Sequence, residues 1–163
     1  MNICELIREF RKNPNFEVKE PIGFPMLKKG HIIPKDMKEF YSICGGIICY
    51  VEEGGFPMEI LSPVDIRHAN SVLIGEECEN DISYTWYLIA DAEDGNYISI
   101  DCSESRLGRC YESFEYSHAV KGHCPVIAMS FTELLVSILN YKGDYFFWKD
   151  NPQFNVHGDA YDI

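Results

Sequence analysis

The stretch LIADAEDGNYISID, residues 88–101, sets four carboxylates, Asp91, Glu93, Asp94 and Asp101, around a single glycine. Carboxylates so gathered can hold a calcium ion, work as an acid/base pair, or solvate a turn. A calcium loop of the EF-hand type needs ligands at positions one, three and five, glycine at six and glutamate at twelve. Counted from Asp91, Gly95 falls at five and Cys102 at twelve, so hinge and bidentate ligand are both missing. Acid/base cleavage of a glycosidic bond needs two carboxyls flanking that bond. Asp91 and Asp101 lie across an expected hairpin and could approach each other, but a polar turn offers little burial with which to tune their pKa values. A hairpin fits the stretch better: Trp86, Leu88 and Ala90 alternate before the turn, Ile98 and Ile100 after it, and Asp94-Gly95 suits the positive φ of a tight reversal.

A second constellation is Cys110, His118, His123 and Cys124, since imidazole and thiolate are the usual zinc ligands. The segment HAVKGHC has no recognised ligand spacing. The seven cysteines (Cys4, Cys44, Cys49, Cys78, Cys102, Cys110 and Cys124) are scattered without a C-x-x-C pair, which argues against a zinc ribbon and a disulfide framework alike. Free thiols in a reducing compartment are expected, and neither a metal nor a cofactor. The phosphate-cradling G-x-x-x-x-G-K-[ST], the dinucleotide G-x-G-x-x-G, the zinc-protease H-E-x-x-H and the nucleophile elbow G-x-S-x-G do not occur. Their absence argues mildly against an enzyme. The adjacent basic pairs are Arg11-Lys12 and Lys28-Lys29, so DNA or RNA is not an expected direct ligand.

The formal net charge of -12 is unevenly spread. Residues 52–115 hold 15 acidic side chains against 3 basic ones, while the two flanks together hold 11 of each. Such a field repels phosphate backbones and anionic membranes, and it speeds encounter with a basic partner. Solubility is the plainer reading of the same charge. No apolar run reaches the ~18 residues that a membrane span needs, and the start MNICELIREF lacks the basic, then apolar pattern of a secretory signal, so a cytoplasmic protein is expected.

The elements that must position these residues can be read from periodicity. Ile3, Leu6, Ile7 and Phe10 recur at helical spacing, with Asn2 and Glu5 placed as a capping box and Pro14 closing a helix over 2–13. IPKDMKEFYSICGG predicts a second helix starting near Pro34, with Met37, Phe40, Tyr41 and Cys44 on one face and Gly45-Gly46 as its stop. IICYV and PMEIL read as a strand pair around the turn EEGGF, and Ser62, Pro63 and Asp65 as the cap and first turn of another helix. GEECEND, residues 75–81, reads as a solvated loop. After the hairpin, GRCYESFEY and PVIAM are strands, and SFTELLVSILN is a helix with Ser130 and Glu133 as its capping box. Helices at both ends with strands between them describe a single-domain α+β fold with a largely antiparallel central sheet, at 163 residues one core. The aromatic stretch 141–163 is expected to fold back and pack, the alternative being an exposed docking patch.

Four of these segments, in this order, resemble the SUKH superfamily, which includes fungal Smi/Knr regulators of cell-wall synthesis and bacterial immunity proteins against polymorphic toxins. IPKDMKEFYSICGG is similar to the family's signature helix, MEILSPVDIRHAN to the strand and capped helix after it, LIADAEDGNYISID to its acidic hairpin, and PVIAMSFTELLVSIL to its closing strand and helix. The family-like core covers about 30–140, with the helix 2–13 before it and the extension 141–163 after it. The resemblance implies a domain that acts by binding a protein, with no catalytic residues to carry over. The expected partner is a cognate toxin, basic and nuclease-like; the alternative is a regulatory scaffold in cell-wall synthesis or signalling. A monomer or weak dimer that contacts neither membrane nor nucleic acid is expected. Together with the charge map, this nominates Glu52, Glu53, Glu76, Glu77, Glu79, Asp81, Asp91, Glu93 and Asp94 as the partner-binding acids, with Trp86 and Tyr97 as aromatic anchors.

Overall fold

Seven short segments rich in apolar side chains build the centre of the fold, seen here in a computed structural model that describes residues 1–52, 57–141 and 146–163. They are β1 (Phe16–Val18), β2 (Ile47–Cys49), β3 (Met58–Ile60), β4 (Trp86–Asp91), β5 (Asn96–Asp101), β6 (Cys110–Phe114) and β7 (Val126–Ala128). They pair in chain order, each antiparallel to the next. Because successive side chains point to opposite faces, the register separates two rows across β2 to β5. Ile47, Ile60, Ala90 and Ile98 are buried, whereas Ile48, Glu59, Asp91 and Tyr97 stay half-exposed.

The helices are α1 (Ile3–Lys12), α2 (Lys35–Ile43), α3 (Ala69–Leu73), α4 (Phe131–Asn140) and α5 (Phe147–Asp150). In α1 the Asn2–Glu5 capping box forms as the sequence predicts, and Ile3, Leu6, Ile7 and Phe10 are all buried. The helices α1, α2 and α4 pack on one another, with α1 also against β1 and α4 against β7. Asp36 joins two of them: its carboxylate accepts both the amide and the hydroxyl of Thr132 at 2.8 Å, which satisfies free donors in the first turn of α4.

The turn after β4 has the chemistry read from Asp94-Gly95. The Asn96 amide donates to the Glu93 carbonyl at 3.0 Å across φ values of +55° at Asp94 and +78° at Gly95, the pattern of a type I′ turn. The segment after β3 departs from expectation. Ser62 makes no cap hydrogen bond and only a 3-10 turn forms, over Pro63–Asp65. The chain is drawn back to the sheet instead, by the Leu88 amide on the Arg67 carbonyl and a bridge between His68 and Tyr87, and α3 starts only afterwards. The sequence does not predict β1 or α5: β1 sits in a polar run and fully buries only Phe16, and four residues of helix are too few to display a period.

The tail packs, as expected of its aromatics. Phe146, Phe147 and Trp148 are buried, and Trp148 donates its ring N–H to Glu112 at 2.9 Å. Residues 157–160 then run along β7, with the Val126 amide on Gly158 at 2.8 Å and the Ala160 amide on Cys124 at 2.9 Å. That pairing covers a sheet edge that would otherwise expose unpaired donors and acceptors.

Candidate partner-binding surface

Asp91 ends β4 directly opposite Glu59 of β3 and directly opposite Tyr97 of β5. With Ile48, Pro57, Met58 and Glu93, Glu59 and Asp91 line a recess of about 180 Å³ on the half-exposed side of the sheet. Its lining is half apolar and half acidic. Glu59 is ion-paired with Lys19. Asp91 accepts the Glu93 amide at 2.8 Å, which helps hold the turn. Tyr97 is half-buried, and its hydroxyl pKa is raised by that burial and then by Asp91, with Arg67 opposing.

The antiparallel order brings further acids to the same end of the sheet. Glu93 and Asp94 are exposed on the turn after β4, and exposed Glu52 follows β2 by three residues, its amide on the Asn15 side chain at 3.0 Å. Glu115, just past β6, donates its amide to Gly95 at 2.9 Å and lies so close that a Cβ on that glycine would meet its carboxylate at 2.9 Å. Glu53 lies outside the described residues.

The remaining nominated acids lie elsewhere. Glu76, Glu77, Glu79 and Asp81 belong to the connection between β3 and β4, which leaves from the opposite end of the sheet, roughly 15 Å away at strand rise. There Glu76 and Glu79 are exposed, whereas Glu77 is ion-paired with Lys28. Asp81 accepts the Ser83 amide at 3.0 Å and the Tyr161 hydroxyl at 2.7 Å. Burial acts to raise its pKa, but the hydrogen bonds from Ser83 and Tyr161 prevail and lower it. The acidic excess of the middle segment is thus divided between two ends of the sheet.

Trp86 requires a correction. Its ring is 0% exposed and stacked on Tyr111 at 4.2 Å between centroids, so it offers no surface to a partner. It is there because Asp101, also 0% exposed, collects the Trp86 ring N–H at 3.1 Å and the Tyr111 hydroxyl at 2.7 Å. The same carboxylate accepts Arg106 Nε at 3.0 Å, the Thr85 hydroxyl at 2.7 Å and the Ser103 amide at 3.0 Å. A buried charge with so many donors is compensated in place. Periodicity gave no warning of this hub, because an aspartate at a strand end reads as a solvated side chain.

The chemical alternatives find no geometry. Asp101 pairs with Trp86 and Asp91 with Tyr97, at opposite ends of the hairpin, so the two carboxylates do not flank a common point. Cys110 and Cys124 donate to backbone carbonyls, His118 bonds Asn70 at 2.7 Å, and His123 is exposed. Among the described residues, no three His, Cys, Asp or Glu side chains converge as a metal would require. The cysteines are free thiols, and burial pushes the pKa of Cys44 and Cys124 up to about 11. Nor is any helix of the described residues long and apolar enough to cross a membrane.

Residues 28–137 match the sequence model of the SMI1 / KNR4 family (SUKH-1). Over 162 residues the chain is 38% identical to the immunity protein YokJ of Bacillus subtilis (strain 168), an alignment that takes in 99% of this chain and 97% of that protein. No solved structure matches the chain.

Proposed function

The chain belongs to the SMI1 / KNR4 family (SUKH-1), and we propose that it is an immunity protein that protects a cell by binding a toxin. The observation that carries this reading is the 38% identity to an immunity protein over 99% of the chain. A likeness that extends through the aromatic tail spans more than the family core and supports a shared mode of action.

The partner is a basic toxin domain, such as a nuclease. It is captured at the end of the sheet that exposes Glu52, Glu93 and Asp94 and holds the recess lined in part by Glu59 and Asp91. Carboxylates presented on strand ends and tight turns are held in place before encounter, so little ordering is needed on binding. Their field steers a cationic surface toward the recess and raises the association rate more than the final affinity. Tyr97, half-buried beside Asp91, supplies an aromatic contact at that surface. Glu76 and Glu79, at the far end, add only to the long-range field. The protein contributes no bond-making step: it neutralises by occupying the toxin's active face.

The test begins with the neighbouring genes. A gene for a secreted or contact-delivered toxin should adjoin this one, and co-expression should rescue growth of cells producing that toxin's C-terminal domain. Failure of rescue, with no complex between the purified proteins, would sink the reading.

A further inference from the structure

Residues 20–31 have no helix or strand and cross from β1 toward α2 as a strap. It carries Ile22, Phe24 and Met26 with their side chains largely in solvent, Met26 at 90% exposure. Among the described residues, every hydrogen bond or ion pair from this strap to the rest of the protein ends on one of two groups. The Lys28 amide donates to the Tyr87 hydroxyl at 3.0 Å, His31 Nδ1 lies 2.7 Å from that same hydroxyl, and Lys28 Nζ is ion-paired with Glu77. Pro25 is buried and Leu27 packs against the core, so the strap also has apolar contacts, but apart from the Lys28–Glu77 pair its hydrogen bonds converge on a single oxygen.

The proton inventory at that oxygen decides the state of His31. Tyr87 is 2% exposed, so its hydroxyl has no bulk water to turn to. An amide can only donate, hence the hydroxyl accepts from Lys28 and has one hydrogen of its own to give. It gives it to His31 Nδ1, which must be unprotonated, with the imidazole hydrogen on Nε2. A proton added at Nδ1 sets two donors face to face. The phenol hydrogen must then lose its acceptor inside the protein, which costs the desolvation of a buried polar group.

The surroundings do not favour an imidazolium. The groups facing His31 are Lys28 on its own strap, His68 beside α3, Glu77 on the loop after α3, Tyr84 and Tyr87 against its ring, and Asp101 on β5. Both carboxylates are already engaged, Glu77 with Lys28 and Asp101 with Arg106. Burial, His68 and Lys28 all lower the proton affinity of His31, in that order.

We propose that His31 and Tyr87 form an acid-sensitive latch: protonation of His31 at Nδ1 releases the strap 20–31 from the sheet while the sheet itself stays folded. The released segment carries the apolar side chains Ile22, Phe24 and Met26 with it, so acid enlarges the mobile apolar surface of the protein.

Amide hydrogen exchange followed by NMR on the full chain tests this, between about pH 7.5 and about pH 5, a span that brackets the ordinary histidine pKa. The protection factor of the Lys28 amide should fall at least about tenfold as the pH is lowered, while that of Asp101, whose amide bonds Arg109 within the sheet, holds. His31→Gln keeps an acceptor but takes up no proton, and should remain latched over the same range. Tyr87→Phe should be unlatched at every pH. Imidazole 15N shifts of the unaltered chain add a readout independent of variants: near pH 7.5 they should show Nδ1 bare and Nε2 protonated. The latch is overturned by the opposite tautomer, by Lys28 protection that fails only together with that of Asp101, by acid release that persists in His31→Gln, or by full protection in Tyr87→Phe.

Discussion

Glu59 and Asp91 stand directly opposite one another on β3 and β4, two carboxylates in register on the half-exposed side of the sheet. Like charges so placed destabilise a strand pair, by roughly 0.2–1 kcal/mol, and among the described residues only Glu59 of the two has an ion-pair partner, Lys19. The pair makes sense if the position serves a partner better than it serves the fold. Asp91→Asn keeps the acceptor for the Glu93 amide and removes the repulsion. It should raise the denaturant midpoint by up to about 1 kcal/mol of stability while weakening capture of the toxin; chemical denaturation and binding kinetics on one preparation would show both effects.

The division of the acids predicts unequal contributions to association. Neutralising Glu52, Glu93 and Asp94 as Gln, Gln and Asn should slow association about tenfold at low salt and flatten its salt dependence. These substitutions avoid forcing a bulky residue into the positive φ of Glu93 (+68°) and Asp94 (+55°). Neutralising Glu76 and Glu79 at the far end should change the rate by less than about threefold. Stopped-flow measurements over a salt series compare the two sets, and equal effects would place the partner elsewhere.

Asp101 is expected to matter for stability and not for recognition. Asp101→Asn turns an amide nitrogen toward donors from Trp86, Tyr111 or Arg106, and leaves Arg106 without its counter-charge. Loss of one partner from a buried pair costs on the order of 3–5 kcal/mol. Thermal unfolding followed by tryptophan fluorescence should show a large drop in Tm, and whatever remains folded should associate with toxin at the unaltered rate.

His118 should give the fold a pH limit of its own. Its Nε2 must donate to the Asn70 carbonyl oxygen, since both hydrogens of the Asn70 amide are used, on the Glu77 carbonyl and on Ser83. Among the described residues its buried Nδ1 has no partner. Burial lowers its pKa from 6.5 to about 4, against the pull of Asp81. The unfolded chain therefore binds this proton more readily than the folded one. The stability is complete above the unfolded value of 6.5, is lost as the pH falls toward about 4, and changes no further below it. The loss is on the order of 3 kcal/mol. His118→Gln retains a donor for Asn70 and should flatten the denaturant midpoint over that pH interval.

What could be read from the residues alone was whatever is decided locally. The capping box at Asn2 and Glu5, the Asp94-Gly95 turn, the alternation in β4 and β5 and the apolar face of α4 each depend on side chains within a few positions of one another. Propensity and period therefore identify them, and the order of four such segments sufficed to point to a family. Neither Trp86 nor Asp101 could be placed that way: one read as a surface anchor and the other as a turn acid, yet they bury each other across a register that only strand pairing sets. The same holds for the acids. Their number is a property of the chain, but their division between two ends of the sheet follows from the meander, which sends successive connections out at alternate ends. Charge is additive along a sequence, whereas the field that a partner meets depends on where pairing between distant strands carries each carboxylate.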